Sequence, residues 1–296
     1  MISFRSLSEC TWREAVETFN RGFEGYVADL RFDEQKLIQH MARGDLSPGL
    51  SLIACYAGKP AGIVLNGIRR IGGKLAAWNG GTGVAKEFRG LGIGKALIEK
   101  SLEIYRQHQV EIASLEAMEV NQPAITLYGK MGYVITDRLH FYSLSQTVPD
   151  GYVAEKFAYP VQRESGREII RLPFRREWTP WQTQLASLPE AESVIIRNEQ
   201  LEPVGYALFQ EKMDQSGQRT ETILYQCETV RGVPERKRII QCLLSHVFRF
   251  PESVHRQPEP YACSTFNLLT DPDVLEVLQD WGFEKKTGQV WMERTL

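Results

Sequence analysis

The sequence predicts an α/β (α+β) protein of two tandem domains, each with a mixed, mostly antiparallel sheet flanked by helices. Short apolar runs bounded by turn residues alternate with segments of helical periodicity. The same order of elements returns in the second half, and 296 residues suffice for two domains at roughly 150 residues each. A turn signal at residues 149–151 places the boundary between domains 1–148 and 149–296.

The composition is that of an ordinary soluble protein. Hydrophobic residues make up 43%, charged residues 24%, and the formal net charge is −2, which indicates no nucleic-acid partner. The five cysteines are scattered and never spaced as CxxC, which argues against disulfides and a zinc site. The first residues lack the apolar run of a signal peptide, and no stretch reaches the roughly 18 apolar residues of a membrane span. We therefore expect a cytoplasmic protein that binds no metal and no membrane.

The first elements enclose a loop rich in aromatic and acidic side chains. If this loop lines a substrate pocket, Glu24 would attract a cationic amine. Alternatively, Phe23 and Tyr26 close the edge of the core. The residues alone leave both interpretations open. The flanking elements are a strand at residues 2–7 and amphipathic helices at residues 11–19 and 33–41.

An antiparallel meander follows, because three short apolar runs are separated by turn residues. The last run contains Gly80, Gly81 and Gly83. Glycines inside a strand commonly mark a bulge or a close approach of another backbone. The three strands are predicted at residues 51–56, 61–68 and 74–84.

The glycine-rich stretch between residues 89 and 95 begins the next helix with almost no side chains in its first turn. The first N–H groups of a helix lack intrahelical partners and lie at its positive end, so this start favours a phosphate or pyrophosphate. Arg89 and Lys95 add positive charge. A dinucleotide GxGxxG motif fails at Lys95, and a Walker A loop fails at Arg89 and Ala96. The apolar face of the helix is Ile93, Leu97, Ile98, Leu102 and Tyr105.

Three elements complete the first half. A buried-type strand is predicted at residues 111–118, and a long strand at residues 133–144 precedes the boundary. Between them lies a helix at residues 123–131, which begins at Pro123 and ends before Gly132.

Two signatures in this half resemble those of the GNAT superfamily of N-acetyltransferases. The first is Arg89-x-x-Gly92-x-Gly94, which is similar to the loop that holds the pyrophosphate of acetyl-CoA. The second is Asn121, Ala124, Leu127-Tyr128 and Gly132-Tyr133. The resemblance implies acetyl-CoA as cosubstrate and a fourth strand that splays to admit its pantetheine arm. The implied cofactor-binding residues are Val84, Arg89, Gly90, Leu91, Gly92, Ile93, Gly94, Lys95, Asn121, Ala124 and Tyr128.

The resemblance also implies that Tyr128 is the general acid that protonates the departing thiolate. An amine with an ordinary pKa of about 10.4 needs a base to remove its proton at neutral pH. Glu116, Glu119 and Glu24 are the candidate carboxylates, and spacing favours none of them. We predict Tyr128 and Glu116 as the catalytic pair.

The second half is predicted to be a degenerate copy of the first. A helix is expected at residues 176–188, followed by strands at 193–197, 203–209 and 221–230. An offset of 146 residues pairs Ile93 with Ile239 and Asn121 with Asn267. Four inserted residues then give an offset of 150, which pairs Tyr128 with Leu278.

The copy departs from the pattern at the residues that would bind the cofactor. Arg89, Gly92 and Gly94 correspond to Glu235, Arg238 and Ile240, so we do not expect CoA there. The basic residues near the start of that helix either attract an anion or form a solvated helix start. These residues are Arg231, Arg236, Lys237 and Arg238.

We therefore expect an acetyl-CoA-dependent N-acetyltransferase whose first domain acts on a primary amine of a small molecule or peptide. Two alternatives stay open. One is an acyltransferase with a non-amine acceptor, and the other is a CoA-binding regulatory or scaffold module without turnover. The protein is expected to be a monomer with an internal pseudo-dimer, or a homodimer.

Overall fold

A computed structural model describes residues 1–26, 30–144, 159–249 and 262–296. It divides into two compact units, Met1–Thr136 with Val290–Leu296, and Asp137–Gln289. Each unit combines a mixed, mostly antiparallel sheet with flanking helices, so the predicted fold class is confirmed. The boundary predicted between residues 148 and 149 lies outside the described residues and stays a prediction.

The sheet of the first unit is an antiparallel meander with one parallel neighbour. Four strands pair antiparallel in chain order, and the fifth pairs parallel to the fourth. A parallel pair needs a crossover connection, which a helix supplies here. The strands are β1 (Ile2–Ser6), β2 (Leu52–Tyr56), β3 (Lys59–Ile71), β4 (Lys74–Val84) and β5 (Ile112–Met118).

Four helices accompany these strands, and all four were predicted to within a few residues. Three of them begin at a side chain that accepts a hydrogen bond from their first turn: Thr11, Asp33 and Asn121. The third helix begins instead at Gly92, which has no side chain to cap it. The helices are α1 (Trp12–Gly22), α2 (Glu34–Arg43), α3 (Ile93–Gln107) and α4 (Gln122–Lys130).

Alternation along β4 separates the two faces of the first sheet. Ala77 is fully buried in an apolar cluster with side chains of α3 and α4. The next residue, Trp78, points to the opposite face, where its Cζ3 lies 2.9 Å from the position that a Cβ on Gly44 would take. Gly44 caps the end of α2. The sheet therefore separates α3 and α4 from α2.

The second unit repeats this plan. Its α5 and α6 share an apolar cluster with the strands, as the repeat predicts. The strands are β6 (Val134–Leu144), which begins in the first unit, β7 (Val161–Ser165), β8 (Glu192–Arg197), β9 (Pro203–Met213), β10 (Arg219–Thr229), β11 (Ala262–Thr265), β12 (Leu268–Leu269) and β13 (Glu284–Thr295), and the helices are α5 (Arg236–Phe248) and α6 (Pro272–Asp280).

The helix predicted at residues 176–188 is wrong. Two single-turn 3₁₀ helices, Trp181–Thr183 and Leu185–Ser187, lie there instead. Local side-chain bonds compete with an α-helix at this point. The Thr183 hydroxyl donates to the carbonyl of Pro180, and the Ser187 hydroxyl donates to that of Trp181.

The end of β13 belongs to the first unit, which sequence patterns did not predict. Val290 and Met292 are each 2% exposed and pack in the cluster that contains Leu115 of β5. The N–H of Leu296 donates to the carbonyl of Glu111 at 3.0 Å. The last residues of the chain thus help to close the core of the unit that contains its first residues.

In the part of the chain that the structure describes, no helix is long and apolar enough to cross a membrane.

Truncating a core side chain at the end of the chain should destabilise the first unit. We expect Met292→Ala to lower the free energy of unfolding by about 2–4 kcal/mol, because it leaves a cavity in a packed cluster. Met213→Ala is the matched control, since Met213 is 53% exposed and its truncation should change stability little. Urea unfolding of both variants measures the difference. Equal midpoints would show that β13 does not stabilise this core.

Candidate functional site

The site begins where β4 and β5 stop pairing. Their parallel ladder runs from Ala76–Ile112 to Asn79–Leu115, and among the described residues it ends there. Both strands nevertheless continue, β4 to Val84 and β5 to Met118. We call the region between the unpaired ends of β4 and β5 the wedge. A splayed fourth strand of this kind is what the family resemblance implies.

A β-bulge accompanies the divergence. Leu65 of β3 pairs with Gly81, whereas the next residue, Asn66, pairs with Asn79, so Gly80 is an extra residue in β4. A bulge bends its strand and increases the local twist. The Asn79 carboxamide fixes the bulge, because its Oδ1 accepts the N–H of Gly81 at 3.1 Å.

The glycines of β4 also allow α1 to approach. A Cβ on Gly83 would lie 2.9 Å from Cε2 of Phe23 and 3.0 Å from the main chain of Gly22. Phe23 stacks in turn on Phe19, with ring centroids 4.4 Å apart. At Gly83, therefore, the missing side chain makes room for the loop after α1.

The start of α3 exposes main-chain donors. Gly92 caps the helix in the left-handed conformation, with φ 79°, and Gly90 has φ 80°. A Cβ on either glycine would meet nothing within 4 Å. The first turn closes with the Ala96 N–H donating to the Gly92 carbonyl at 3.0 Å, so the three preceding N–H groups have no intrahelical acceptor. These are the groups that bind anions at helix starts.

Gly94 brings α4 to this helix start. A Cβ on Gly94 would lie 3.4 Å from Cδ2 of Leu127 and 3.7 Å from Cγ2 of Val84. The helix start, the end of β4 and the middle of α4 therefore meet at one point. Ile93 is buried on the core side, whereas Leu91 is 46% exposed.

The two predicted cations differ in their contacts. The Arg89 guanidinium donates to the main-chain carbonyls of Val84 at 3.0 Å, Glu24 at 3.1 Å and Gly22 at 3.4 Å. It thereby holds the loop after α1 against the end of β4. Lys95 lies 3.5 Å from Glu99 in an exposed pair, which contributes little to stability.

Tyr128 lies on the α4 side of the wedge. Its side chain is buried in the cluster that also contains Leu115 and Ala117. Burial raises the pKa of Tyr128 to about 12, and the Thr82 side chain of β4 acts in the opposite direction. The phenol is therefore protonated at neutral pH and can act as a proton donor.

Asn121 lies at the β5 end of the wedge. Its Oδ1 accepts the N–H of Ala124 at 3.3 Å, which caps α4. Burial raises the pKa of the Tyr26 hydroxyl, while the Asn121 side chain and the main chain of Met118 lower it, so both lie near that hydroxyl. The loop after α1 therefore reaches the end of β5.

Glu116 lies on the face opposite to Tyr128. Its neighbours Leu115 and Ala117 point into the cluster beneath α3 and α4, so alternation places Glu116 on the face that carries α2. Its Oε2 accepts the indole N–H of Trp78 on β4 at 2.6 Å. Of the other candidate bases, Glu24 is exposed in the loop after α1, and Glu119 follows β5.

His40 lies near the same bulge and was not predicted. Burial lowers the pKa of its imidazole, and the main chain of Gly80 acts in the opposite direction. The ring packs at 5.3 Å from that of Phe32. The lowered pKa keeps His40 neutral at physiological pH.

The loop between α1 and α2 borders a cavity of about 600 Å³. Phe23 and Tyr26 line this cavity, and Phe23 also packs against Gly83 of β4. That the loop lines a substrate pocket stays a prediction. The lining residues are Asn20, Arg21, Phe23, Glu24, Gly25, Tyr26, Leu30 and Arg31.

The second unit lacks the open helix start. Its α5 begins at Arg236, three residues before the counterpart of Ile93, so helix replaces the glycine loop. Arg236 pairs with Asp271 and Asp273, and Lys237 with Glu276 at 2.7 Å. These two basic side chains are therefore paired with carboxylates of α6 and of its N-cap.

One predicted correspondence between the repeats is wrong. Asn267 does not cap a helix; it is fully buried and donates to Gln182 at 3.2 Å. Asp271 caps α6 and stands 150 residues after Asn121. The four-residue insertion therefore precedes the cap, which an alignment of apolar spacing could not locate. Leu278, the counterpart of Tyr128, is fully buried in an apolar cluster.

Among residues 1–26, 30–144, 159–249 and 262–296, no cluster of three or more His, Cys, Asp or Glu side chains is arranged to hold a metal ion.

Sequence comparison agrees with this geometry. The model of the Acetyltransferase (GNAT) family matches residues 11–133. Over 103 residues the chain is 29% identical to the N-alpha-acetyltransferase MAK3 of Arabidopsis thaliana. That match covers 34% of this chain and 53% of the relative, so the chain spans about half the length of the curated relative it matches.

Solved structures share the fold. A GCN5-related N-acetyltransferase from Sphaerobacter thermophilus superposes with a TM-score of 0.64 at 15% identity, covering 99% of this chain and 95% of that chain. A tandem GNAT protein from the clavulanic acid biosynthesis pathway gives a TM-score of 0.60 at 13% identity, covering 100% and 98%. At these identities the similarity concerns the fold.

The ionisation of Tyr128 should make stability fall at alkaline pH. An unfolded tyrosine has a pKa of about 10, and the folded value is about 12. Between these values the folded state binds more protons than the unfolded state, so stability decreases as pH rises. Tyr128→Phe should show a weaker decrease in urea midpoint between about pH 10 and 12, the window set by those two values. An identical decrease in both proteins would contradict a raised pKa.

Proposed function

Because residues 11–133 belong to the GNAT family of acetyltransferases, we propose that this protein is an acetyl-CoA-dependent N-acetyltransferase that acetylates a primary amine of a small molecule or peptide. The observation that carries the proposal is the wedge between β4 and β5. The end of β4, the start of α3 and the middle of α4, which carries Tyr128, meet at Gly94.

The start of α3 suits a pyrophosphate. Gly90 and Gly92 leave open space where side chains would stand, and main-chain N–H groups precede the first helical bond. We propose that these groups, with residues 84–95, hold the pyrophosphate of acetyl-CoA. The unpaired edge of β4 and the region of Asn121 would hold its pantetheine arm.

Acetyl-CoA supplies the activated thioester, and the chain supplies proton transfer and orientation. Glu116 takes a proton from the amine as the new C–N bond forms. Tyr128 gives its proton to the sulfur as the C–S bond breaks. Both groups later exchange protons with solvent. The Trp78 indole N–H orients the Glu116 carboxylate through its 2.6 Å hydrogen bond.

Peptide amines are among the candidate acceptors, because the Arabidopsis relative is named an N-alpha-acetyltransferase. The loop after α1, with its cavity of about 600 Å³, lies beside the wedge and is the proposed acceptor pocket.

A negative charge at the helix start should weaken acetyl-CoA binding. Gly94→Ala is the neutral comparison and should bind acetyl-CoA normally, because a Cβ there lies at ordinary contact distance, 3.4 Å from Leu127. Gly94→Glu adds a negative carboxylate at the proposed pyrophosphate site and should weaken binding by at least about 100-fold, since repulsion replaces attraction. Isothermal titration calorimetry with acetyl-CoA measures the affinity.

Gly129→Glu is the control for that experiment. It places the same carboxylate on α4, where a Cβ meets nothing within 4 Å. It should bind acetyl-CoA like the unmodified protein. Retained binding in Gly94→Glu would show that the pyrophosphate lies elsewhere.

Removing either proposed catalytic group should reduce turnover more than cofactor affinity. We expect Tyr128→Phe and Glu116→Gln each to lower kcat by about 100-fold or more, the usual contribution of general acid or base catalysis. The release of free thiol from acetyl-CoA with a panel of small amines and peptides measures kcat, and calorimetry measures binding.

The same assay separates the remaining alternatives. Thiol release that requires an amine supports the proposal. Release that requires a hydroxyl acceptor identifies a different acyltransferase, and binding without release identifies a regulatory module. Unchanged turnover in Tyr128→Phe would remove the tyrosine from its role.

A further inference from the structure

We propose that Arg89 couples the cofactor site to the acceptor pocket. Its main chain belongs to the glycine loop that is proposed to hold the pyrophosphate, whereas its side chain holds the loop after α1, which lines the proposed acceptor pocket. Arg89 is thus a positioning residue for the acceptor, and its guanidinium is not a phosphate ligand. This inference rests on the proposed function, because that function assigns the two sites.

The Arg89 guanidinium donates to three main-chain carbonyls. Its Nε donates to the carbonyl of Val84 at 3.0 Å, and its Nη2 donates to those of Glu24 at 3.1 Å and Gly22 at 3.4 Å. A guanidinium presents its donors in a rigid planar fork, so contacts to several acceptors also fix its direction. Arg89 therefore joins the end of β4 to the loop after α1.

The carbonyls at the end of α1 attract a cation. Gly22 is the last residue of this helix, and Phe23 caps it. Carbonyl groups in the last turn of a helix lack intrahelical donors and lie at its negative end. Hydrogen bonds from a charged donor are also shorter and stronger than those between neutral groups. The guanidinium is therefore stabilised at α1 without a phosphate.

The loop that Arg89 holds is closed at its base by another pair of residues. The Asn20 carboxamide donates to the carbonyl of Phe32 at 2.8 Å and accepts the Phe32 N–H at 2.9 Å. Glu24 lies between these two positions along the chain and lines the cavity. Because the Glu24 carbonyl accepts from Arg89, the position of this pocket wall depends on the guanidinium.

A second contact joins the same two segments. Arg21 of α1 pairs with Glu87, and the two side chains are 45% and 55% exposed. An exposed pair of two flexible side chains contributes little to stability. Arg89 instead donates to main-chain groups of α1 and β4, so the connection depends chiefly on Arg89.

The coupling follows from the place of Arg89 in the glycine loop. Gly90, the next residue, has φ 80° and leaves open space where a side chain would stand. A pyrophosphate bound to the main chain of this loop restricts the residue that carries the guanidinium. The contacts to α1 then break less often, so a bound cofactor stabilises the acceptor loop, and a bound acceptor stabilises the cofactor site by the same free energy.

Hydrogen exchange tests this coupling without an acceptor. The probes are the main-chain N–H groups of Phe23, Glu24 and Tyr26, which donate within α1 and the loop. Saturating acetyl-CoA should slow their exchange at least about threefold in the unmodified protein. In Arg89→Gln they should exchange about tenfold faster, and acetyl-CoA should no longer slow them, because the contacts to α1 are lost.

Calorimetry with acetyl-CoA separates positioning from phosphate binding. The affinity of Arg89→Gln and Arg89→Lys should stay within about threefold of the unmodified protein, because the main-chain donors remain. Arg89→Lys should still show fast loop exchange, since an ammonium does not reproduce the fork. A tenfold loss of affinity in Arg89→Gln that Arg89→Lys restores would mean that the charge binds the phosphate, which would overturn the inference.

Arg106→Gln is the matched control. Arg106 is exposed in the last turn of α3, so this variant removes the same charge at the opposite end of the helix. It should change neither the exchange of the loop nor the affinity for acetyl-CoA.

Kinetics with the small amine or peptide that is acetylated fastest completes the test. Arg89→Gln should raise KM for that acceptor about tenfold and change kcat less than about threefold, because the proposed acid and base are untouched. Unchanged loop exchange or an unchanged acceptor KM in Arg89→Gln contradicts the coupling. If the unmodified protein does not bind acetyl-CoA or acetylates no amine, the proposed function has failed instead, so the two failures are distinguished.

Discussion

The end of the β4–β5 ladder at Asn79 and Leu115 is the constraint on which the candidate site depends. A sheet normally satisfies its main-chain groups by continuous pairing. Here the bulge at Gly80 bends β4 away, and the Asn79 side chain holds that bend by accepting a neighbouring N–H. The divergence leaves the strand edge that we propose pairs with the pantetheine arm of the cofactor.

The sheet of the first unit assigns the two proposed proton transfers to opposite faces. Tyr128 lies with α3 and α4, beside the helix start that we propose binds the pyrophosphate, whereas Glu116 and Trp78 lie on the face of α2. Strand alternation is the physical cause, because neighbouring residues on one strand cannot share a face. A thioester bound in the wedge would have the proposed acid on one side and the amine on the other.

The second unit keeps the apolar core of the first unit but not the residues of its candidate site. Its apolar cluster keeps the helix-on-sheet packing, with Leu278 buried where the first unit has Tyr128. Three additional helical residues replace the glycine loop, and Arg236 is paired with Asp271 and Asp273. Packing tolerates these changes because it requires only apolar volume. Pyrophosphate binding does not tolerate them, since it requires bare main-chain donors.

The sequence by itself determined what depends on near neighbours along the chain. Apolar periodicity predicted the helices of the first unit and most strands, and the glycines at positions 90, 92 and 94 predicted a helix start without a side-chain cap. The helix predicted at residues 176–188 failed because local side-chain hydrogen bonds compete with helical ones there. The tertiary structure alone decided which distant residues meet: Trp78 with Glu116, Phe23 with Gly83, and Val290 with the core of the first unit. These contacts depend on strand register and on one bulge, and a shift of a single residue would turn each side chain to the other face without altering the periodicity of the sequence.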